Sequence, residues 1–165
     1  MASGLQGVGR MQEPDQIVDF LEQDLSSKMP LLGTKILVTA GPTYEPLDPV
    51  RYIGNYSSGK MGYAIANEAA SQGAEVILVS GPADDLAIHP GVKLLQTKTA
   101  DDMHNVCLRH FEDCNILVMA AAVADYKPKH MAEGKIKKEE EITSIELVKT
   151  VDILESLGKK KTNQI

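Results

Sequence analysis

Four short aliphatic runs, punctuated by glycine and proline, constrain the fold of this chain more than any other feature. KILVTA (Lys35–Ala40) stops at Gly41-Pro42, and EVILVS (Glu75–Ser80) stops at Gly81-Pro82. Residues 92–97 and 116–121 are two further runs of the same kind, and such stretches bounded by backbone breakers read as strands. Between them lie segments of helical character: an Ala-rich stretch at 61–73 that ends on Gly73, and 100–112, for which Thr99 is the expected N-cap. Strands that alternate with helices imply βαβ units with right-handed crossovers and a parallel sheet covered on both faces. The uninterrupted apolarity of ILVMAAA predicts that the fourth run is a central strand buried on both sides. Residues 142–148 are a candidate further strand and 150–157 a short helix. The polar GKKKTNQI that follows stands where the alternation would supply another strand. The first 34 residues differ: a Gly-rich opening leads into PDQIVDFLEQDLSSK, where Ile17, Phe20, Leu21 and Leu25 recur at helical spacing.

Composition excludes several function classes. At 165 residues with 43% apolar and 24% charged content, the chain has the make-up of one globular domain. Its longest apolar run, 116–124, is too short for a bilayer, whose core requires about 20 residues, and no secretory signal is visible, so a cytoplasmic protein is expected. Seventeen basic against 23 acidic residues give a net charge of −6, which disfavours nucleic acid as a partner. Cys107 and Cys114 lack CxxC spacing and read as reduced core thiols, and the four histidines are scattered, so no protein-held metal site is expected.

In open α/β sheets, ligands bind beyond the carboxyl ends of the strands, which directs attention to the loops after the first and fourth runs. The first loop, residues 41–60, is far longer than an ordinary βα connection. It feeds Ser57-Ser58-Gly59-Lys60-Met61-Gly62 into a helix N-terminus, where free N–H groups and the dipole favour an anion, and Gly59 and Gly62 would let a phosphate approach the backbone. Two standard phosphate motifs fail. In Gly54-x4-Gly59-Lys60 a methionine, Met61, replaces the Mg²⁺-binding Ser/Thr of a P-loop, and the dinucleotide fingerprint GxGxxG is absent, with Ser80 where an acidic residue would bind ribose. The second loop, residues 120–138, opens with Ala120, Ala121 and Ala122, which would let a ligand lie against the backbone. It then carries Asp125 and five lysines, of which Lys135, Lys137 and Lys138 could neutralise a polyphosphate.

GPTYEPLDPVRYIGNYSSGKMGYAIA, AAAVADYKP and KIKK together resemble phosphopantothenoylcysteine synthetase, also called phosphopantothenate–cysteine ligase, over residues 35–149. The resemblance implies a Rossmann-like α/β three-layer sandwich with a mostly parallel sheet. It also implies a homodimer that uses CTP, with Mg²⁺, to convert 4′-phosphopantothenate into an acyl-cytidylate, from which L-cysteine displaces CMP. By the same resemblance Asn55 binds the acyl-cytidylate, and Lys135 serves turnover of that intermediate. Ala120, Ala121, Ala122 and Asp125 contact the nucleotide, with Ala121 also at the substrate. Ser57, Ser58, Gly59, Lys60 and Met61 form the anion cradle, Gly41, Lys137 and Lys138 are further nucleotide contacts, and Arg51 is a substrate contact. ASGLQGVGRMQEP is similar to the last segment of a flavin-dependent phosphopantothenoylcysteine decarboxylase, which makes residues 1–34 a decarboxylase tail plus linker helix. Residues 35–165 are then a synthetase domain that continues further in the family, and FMN belongs to the missing decarboxylase part. Two other readings remain: a non-catalytic nucleotide-binding fragment, and an NAD(P)-dependent reductase on the same kind of sheet.

Overall fold

A computed structural model describes residues 11–137 and 144–165. In chain order its elements are α1 (Pro14–Lys28), β1 (Lys35–Ala40), β2 (Tyr44–Pro46), β3 (Tyr52–Gly54), α2 (Lys60–Ser71), β4 (Glu75–Ser80) and β5 (Val92–Gln96). These are followed by α3 (Ala100–Phe111), β6 (Ile116–Met119), β7 (Tyr126–Pro128), β8 (Leu147–Lys149) and α4 (Ile153–Gly158). The parallel sheet has the order β5-β4-β1-β6. Side chains of a strand alternate between faces, so Ile36, Val38 and Ala40 of β1 join Val76 and Leu78 under Tyr63, Ala66 and Ala70 of α2. Leu37 and Val79 face the other way, onto Met103, Cys107 and Phe111 of α3 and Ile153 and Leu157 of α4. Both faces are covered, which is why β1 reads as a continuous apolar run. Among the described residues no helix is long and apolar enough to cross a membrane.

The predicted elements recur with small shifts at their ends. β1 and β4 match residue for residue, because each is closed by a glycine that turns the chain. α3 begins where Thr99 predicts: the threonine side chain accepts from the Asp102 N–H while the Asp102 carboxylate accepts from the Thr99 N–H, a reciprocal capping box. The 61–73 helix runs instead from Lys60 to Ser71, and the strand expected at 142–148 is Leu147–Lys149, with residues 142 and 143 outside the described ones. Cys107 and Cys114 are free, buried thiols, and burial pushes Cys107 up to about 12.

One expectation is corrected. β6 is the edge strand of the four, not a central one, and all four of its residues are half-buried. Its outer side is engaged at one point: the Ile165 N–H donates to the Asn115 carbonyl and the Leu117 N–H to the Ile165 carbonyl, each at 2.9 Å. The long first loop is not structureless, since β2 and β3 pair antiparallel within it and Tyr44 stacks on Tyr52 with ring centroids 3.9 Å apart. The stripe on α1 also behaves differently from a core-facing one: Phe20, Leu21 and Leu25 are 66%, 50% and 52% exposed.

Glycine holds the loops against the sheet. A Cβ on Gly81 would lie 1.6 Å from the Pro42 carbonyl oxygen, and one on Gly62 would lie 2.5 Å from the Ala40 Cβ. Over-packing against backbone cannot be relieved by a rotamer change. Gly81→Ala is therefore expected to destabilise the fold by about 3 kcal/mol or more in urea denaturation. Gly134→Ala, where a Cβ meets nothing within 4 Å, should stay within about 0.5 kcal/mol of the native chain.

Candidate functional site

The order β5-β4-β1-β6 places a topological switch point between β1 and β6, and the loops that leave those two strands open a crevice there. These are the loops singled out from the sequence, and they are joined by hydrogen bonds. Thr39 Oγ1 accepts from the N–H groups of Ala120 and Ala121, both at 3.2 Å, and Thr43 Oγ1 accepts from the Ala124 N–H at 2.9 Å. The Ala122 N–H donates to the Gly41 carbonyl at 2.8 Å, and the Thr43 N–H donates to the Ala122 carbonyl at 3.3 Å. Thr39 and Thr43 are fully buried, so the hydroxyls supply acceptors where water is excluded. The N–H groups of Ala120, Ala121, Ala122 and Ala124 are thus engaged by Thr39, Gly41 and Thr43.

Asn55 adds a further link. Its Nδ2 donates to the carbonyls of Val123 at 3.0 Å and Ala122 at 3.4 Å, while the residue itself remains exposed. The side chain thus spans the mouth of the crevice from one loop to the other.

At the N-terminus of α2 the cap is Gly59 at φ +74°, with no side-chain cap bond, and Ser57 Oγ instead accepts from the Gly59 N–H at 3.3 Å. Gly41, at φ +73°, lies against it: a Cβ on Gly59 would come within 3.3 Å of the Gly41 Cα and N. Left-handed backbone at both positions favours glycine. Ser58, Lys60 and Met61 are exposed around this uncapped turn, and the first turn holds no acidic residue. Gly62 is buried, and its missing side chain lets α2 pack on β1.

The lysines divide into two groups. Lys127 pairs with Asp101, and Lys129 with Glu146 at 2.8 Å, so these two are already neutralised. Lys135 and Lys137 are exposed, and Lys138 lies outside the described residues. The segment that bears Lys135 is held by a residue that sequence reasoning missed. Asp48, 2% exposed, accepts from the N–H groups of Val50 and Arg51 at 2.8 Å each and from the Ile136 N–H at 3.2 Å. It also accepts from Arg51 Nε at 2.9 Å and is paired with Arg51 Nη2, which in turn donates to the Ile136 carbonyl at 2.9 Å. The Arg51 guanidinium, followed by the backbone donors, holds the Asp48 carboxyl far below the usual carboxylate range against the opposing effect of burial.

A cavity of about 690 Å³ opens where the second loop meets the start of α4 and is lined by Val123, Asp125, Lys149, Thr150, Asp152 and Glu155 among others. That volume suits a nucleotide-sized ligand. Of the predicted site, only Asp125 belongs to this wall. Lys149, Thr150 and Asp152 were missed, although Thr150 donates to the Ala124 carbonyl and Asp152 caps α4 by accepting from the Glu155 N–H at 2.8 Å. The one signal for them was the threonine-aspartate pair that opens a helix.

The family model of the DNA/pantothenate metabolism flavoprotein C-terminal domain matches residues 31–165. The coenzyme A biosynthesis bifunctional protein CoaBC of Bacillus subtilis (strain 168) is 41% identical over 167 residues, which cover 100% of this chain and 41% of that protein. A cysteine/cysteine sulfinic acid decarboxylase from an unknown prokaryotic organism is 43% identical over 100% of the chain and 47% of its own length. The chain spans less than half the length of these curated relatives. The crystal structure of the C-terminal domain of a CoaBC protein superposes with a TM-score of 0.72 at 46% identity, over 83% of this chain and 64% of that one.

Because the folded Asp48 carboxyl titrates below its unfolded value near 4, its stabilisation is complete above that value and is lost as the pH falls below it. Urea midpoints of the native chain and Asp48→Asn should differ by a constant amount from pH 7 to pH 5 and converge below about pH 4.

Proposed function

This chain belongs to the DNA/pantothenate metabolism flavoprotein C-terminal domain family, and on that premise we propose that it performs phosphopantothenate–cysteine ligation in coenzyme A biosynthesis. The observation that carries the proposal is the joining of the loops after β1 and β6 at the switch point, where Asn55 reaches the carbonyls of Ala122 and Val123. The whole-chain similarity to CoaBC proteins supports the same reading. A relative named for a decarboxylation is equally similar, so identity alone does not choose the reaction. The crevice, with its uncapped helix turn and outward lysines, suits a substrate rich in phosphate.

The reaction has two steps. A carboxylate oxygen of 4′-phosphopantothenate attacks the α-phosphorus of CTP, the bond to the β-phosphate breaks, and pyrophosphate leaves. The amine nitrogen of L-cysteine then attacks the acyl carbon of the acyl-cytidylate. The carbon–oxygen bond to the phosphate breaks, CMP leaves with the electron pair, and the amine proton passes to water. In the first step a carboxylate approaches a polyanion, and repulsion sets the barrier. The turn formed by Ser57, Ser58, Gly59, Lys60 and Met61 receives phosphate oxygens on its N–H groups and dipole, next to Gly41. Lys135, assisted by Lys137 and Lys138, offsets the charge that develops as CMP departs in the second step. Ala120, Ala121, Ala122 and Asp125 form the wall beside the nucleotide and Asn55 holds the acyl-cytidylate, while the Arg51 guanidinium is engaged by Asp48 and the Ile136 carbonyl and serves the substrate side only through them.

Among the described residues no three His, Cys, Asp or Glu side chains converge on a common point, so Mg²⁺ fits as a companion of the triphosphate rather than as a resident of the protein. When bound it would screen the phosphate charge from the attacking carboxylate. Residues 1–34 are the end of a decarboxylase unit and its linker, residues 35–165 are synthetase, and FMN goes with the former. We place the enzyme in the cytoplasm as a homodimer.

Calorimetry with CTP, together with pyrophosphate release on addition of 4′-phosphopantothenate and amide formation on addition of L-cysteine, tests the proposal. CTP binding without pyrophosphate release would leave a nucleotide-binding module, and NADPH binding in place of CTP would indicate a reductase. Asn55→Ala is expected to lower turnover by about 10²–10³, whereas native turnover would remove it from the mechanism. Lys135→Gln should leave trapped acyl-[¹⁴C]cytidylate forming while its reaction with cysteine slows, and an equal loss of both steps would refute that division.

A further inference from the structure

Asp48 is a buried carboxylate, and two hydrogen bonds of the pair it forms with Arg51 reach a single residue of the lysine-bearing segment. It takes the Ile136 N–H, and through Arg51 it also secures the Ile136 carbonyl. These two groups belong to consecutive peptide planes: the N–H to the plane shared with Lys135, the carbonyl to the plane shared with Lys137. Fixing both planes fixes the Cα positions of both lysines.

The remaining contacts of Ile136 are weaker and less directional. Its side chain lines a small cavity of about 190 Å³ with Leu47, Ala132 and Ile145, and the neighbouring Ala132 N–H donates to the Leu47 carbonyl at 2.9 Å. Residues 129–146 connect β7 to β8, a span long enough that Lys135 would sample many positions without a point of attachment. Asp48 is itself held rigidly, because the Val50 and Arg51 N–H groups clamp its Oδ1 and the guanidinium clamps its Oδ2. The attachment therefore transmits the position of the β2–β3 hairpin to the lysine.

We propose that Asp48 is a positioning residue that sets where Lys135 stands in the crevice, so that its removal impairs the step that Lys135 serves. This proposal rests on the ligase reading above. A lysine displaced by about 1 Å loses on the order of a hundredfold in rate, so Asp48→Asn should slow the reaction of the acyl-cytidylate with L-cysteine by about tenfold to a hundredfold while the adduct still forms. Acting through Lys135 also requires non-additivity: on a Lys135→Gln background, Asp48→Asn should produce little further loss.

The experiment measures both half-reactions, by rapid-quench trapping of labelled acyl-cytidylate and its decay with L-cysteine, for the native protein, each single variant and the double variant. If Asp48→Asn fails to fold by circular dichroism, Asp48→Glu takes its place, since it keeps the charge beside Arg51 while moving the carboxylate away from the Ile136 N–H. Coincident loss in the single and double variants supports the proposal. Multiplying losses, or an Asp48→Asn effect confined to adduct formation, overturn it while the ligase reading stands. A Lys135→Gln variant with native half-reactions overturns both the role of Lys135 and the positioning role derived from it.

Discussion

The structure turns on two threonine hydroxyls. Where the strand order reverses, the Ala120 and Ala122 N–H groups still find the Thr39 and Gly41 carbonyls, but those of Ala121 and Ala124 lose the partners a strand would provide. Thr39 and Thr43 replace those partners, each fully buried and each accepting from the opposite loop. An unsatisfied buried N–H costs about 1–3 kcal/mol, so valine at either position would leave donors stranded in the crevice wall. Two loops far apart in sequence thus become one surface, and glycine at 41, 59, 62 and 81 lets that surface lie flat on the sheet.

Because loop backbone is spent on holding loop to loop, it is not free to neutralise a ligand. Positive potential must come from the glycine-capped first turn of α2 and from side chains that protrude from long connections. An acidic chain, with net charge −6, makes that localisation sharper, since the phosphate-bearing substrate we propose would be repelled by most of the surface. Lys127 and Lys129 do not help, because their carboxylate partners tether β7 to α3 and to the strand β8 region. What remains is carried by residues whose position is a matter of loop geometry.

Much of the architecture was legible in the sequence, and the reasons are local. β1, β4 and the Thr99 capping box are each specified by a few adjacent residues. β6 was misplaced because an apolar run records how much of a strand is shielded, not which neighbour shields it; its outer side meets Ile165 rather than a full strand among the described residues. The β2–β3 hairpin escaped notice because YEP and YIG are too short for a period to emerge and a proline occupies one of them. Its pairing is supported by the Tyr44–Tyr52 stack, a contact across eight residues that no pattern reveals. In the crevice, Asn55 and the alanines stood out by their motif, yet the motif did not say that the alanine N–H groups face inward. Asp48 reads in the sequence as an ordinary turn aspartate before Pro49; only its contact with Ile136, 88 residues away, distinguishes it.

That last contact shows why charge and rigidity cannot be assigned to the same group here. A lysine able to follow a leaving group must end in solvent-accessible space, and an exposed lysine on a long connection has no intrinsic position. An acidic residue near the ligand could orient it, but would cancel the potential the substrate needs. Placing the carboxylate beside Arg51, and bonding it to the Ile136 backbone next to the lysine instead of to the lysine's ammonium, meets both requirements of the proposed reaction. The charge of Asp48 is consumed within its own clamp, and what reaches the crevice is geometry alone.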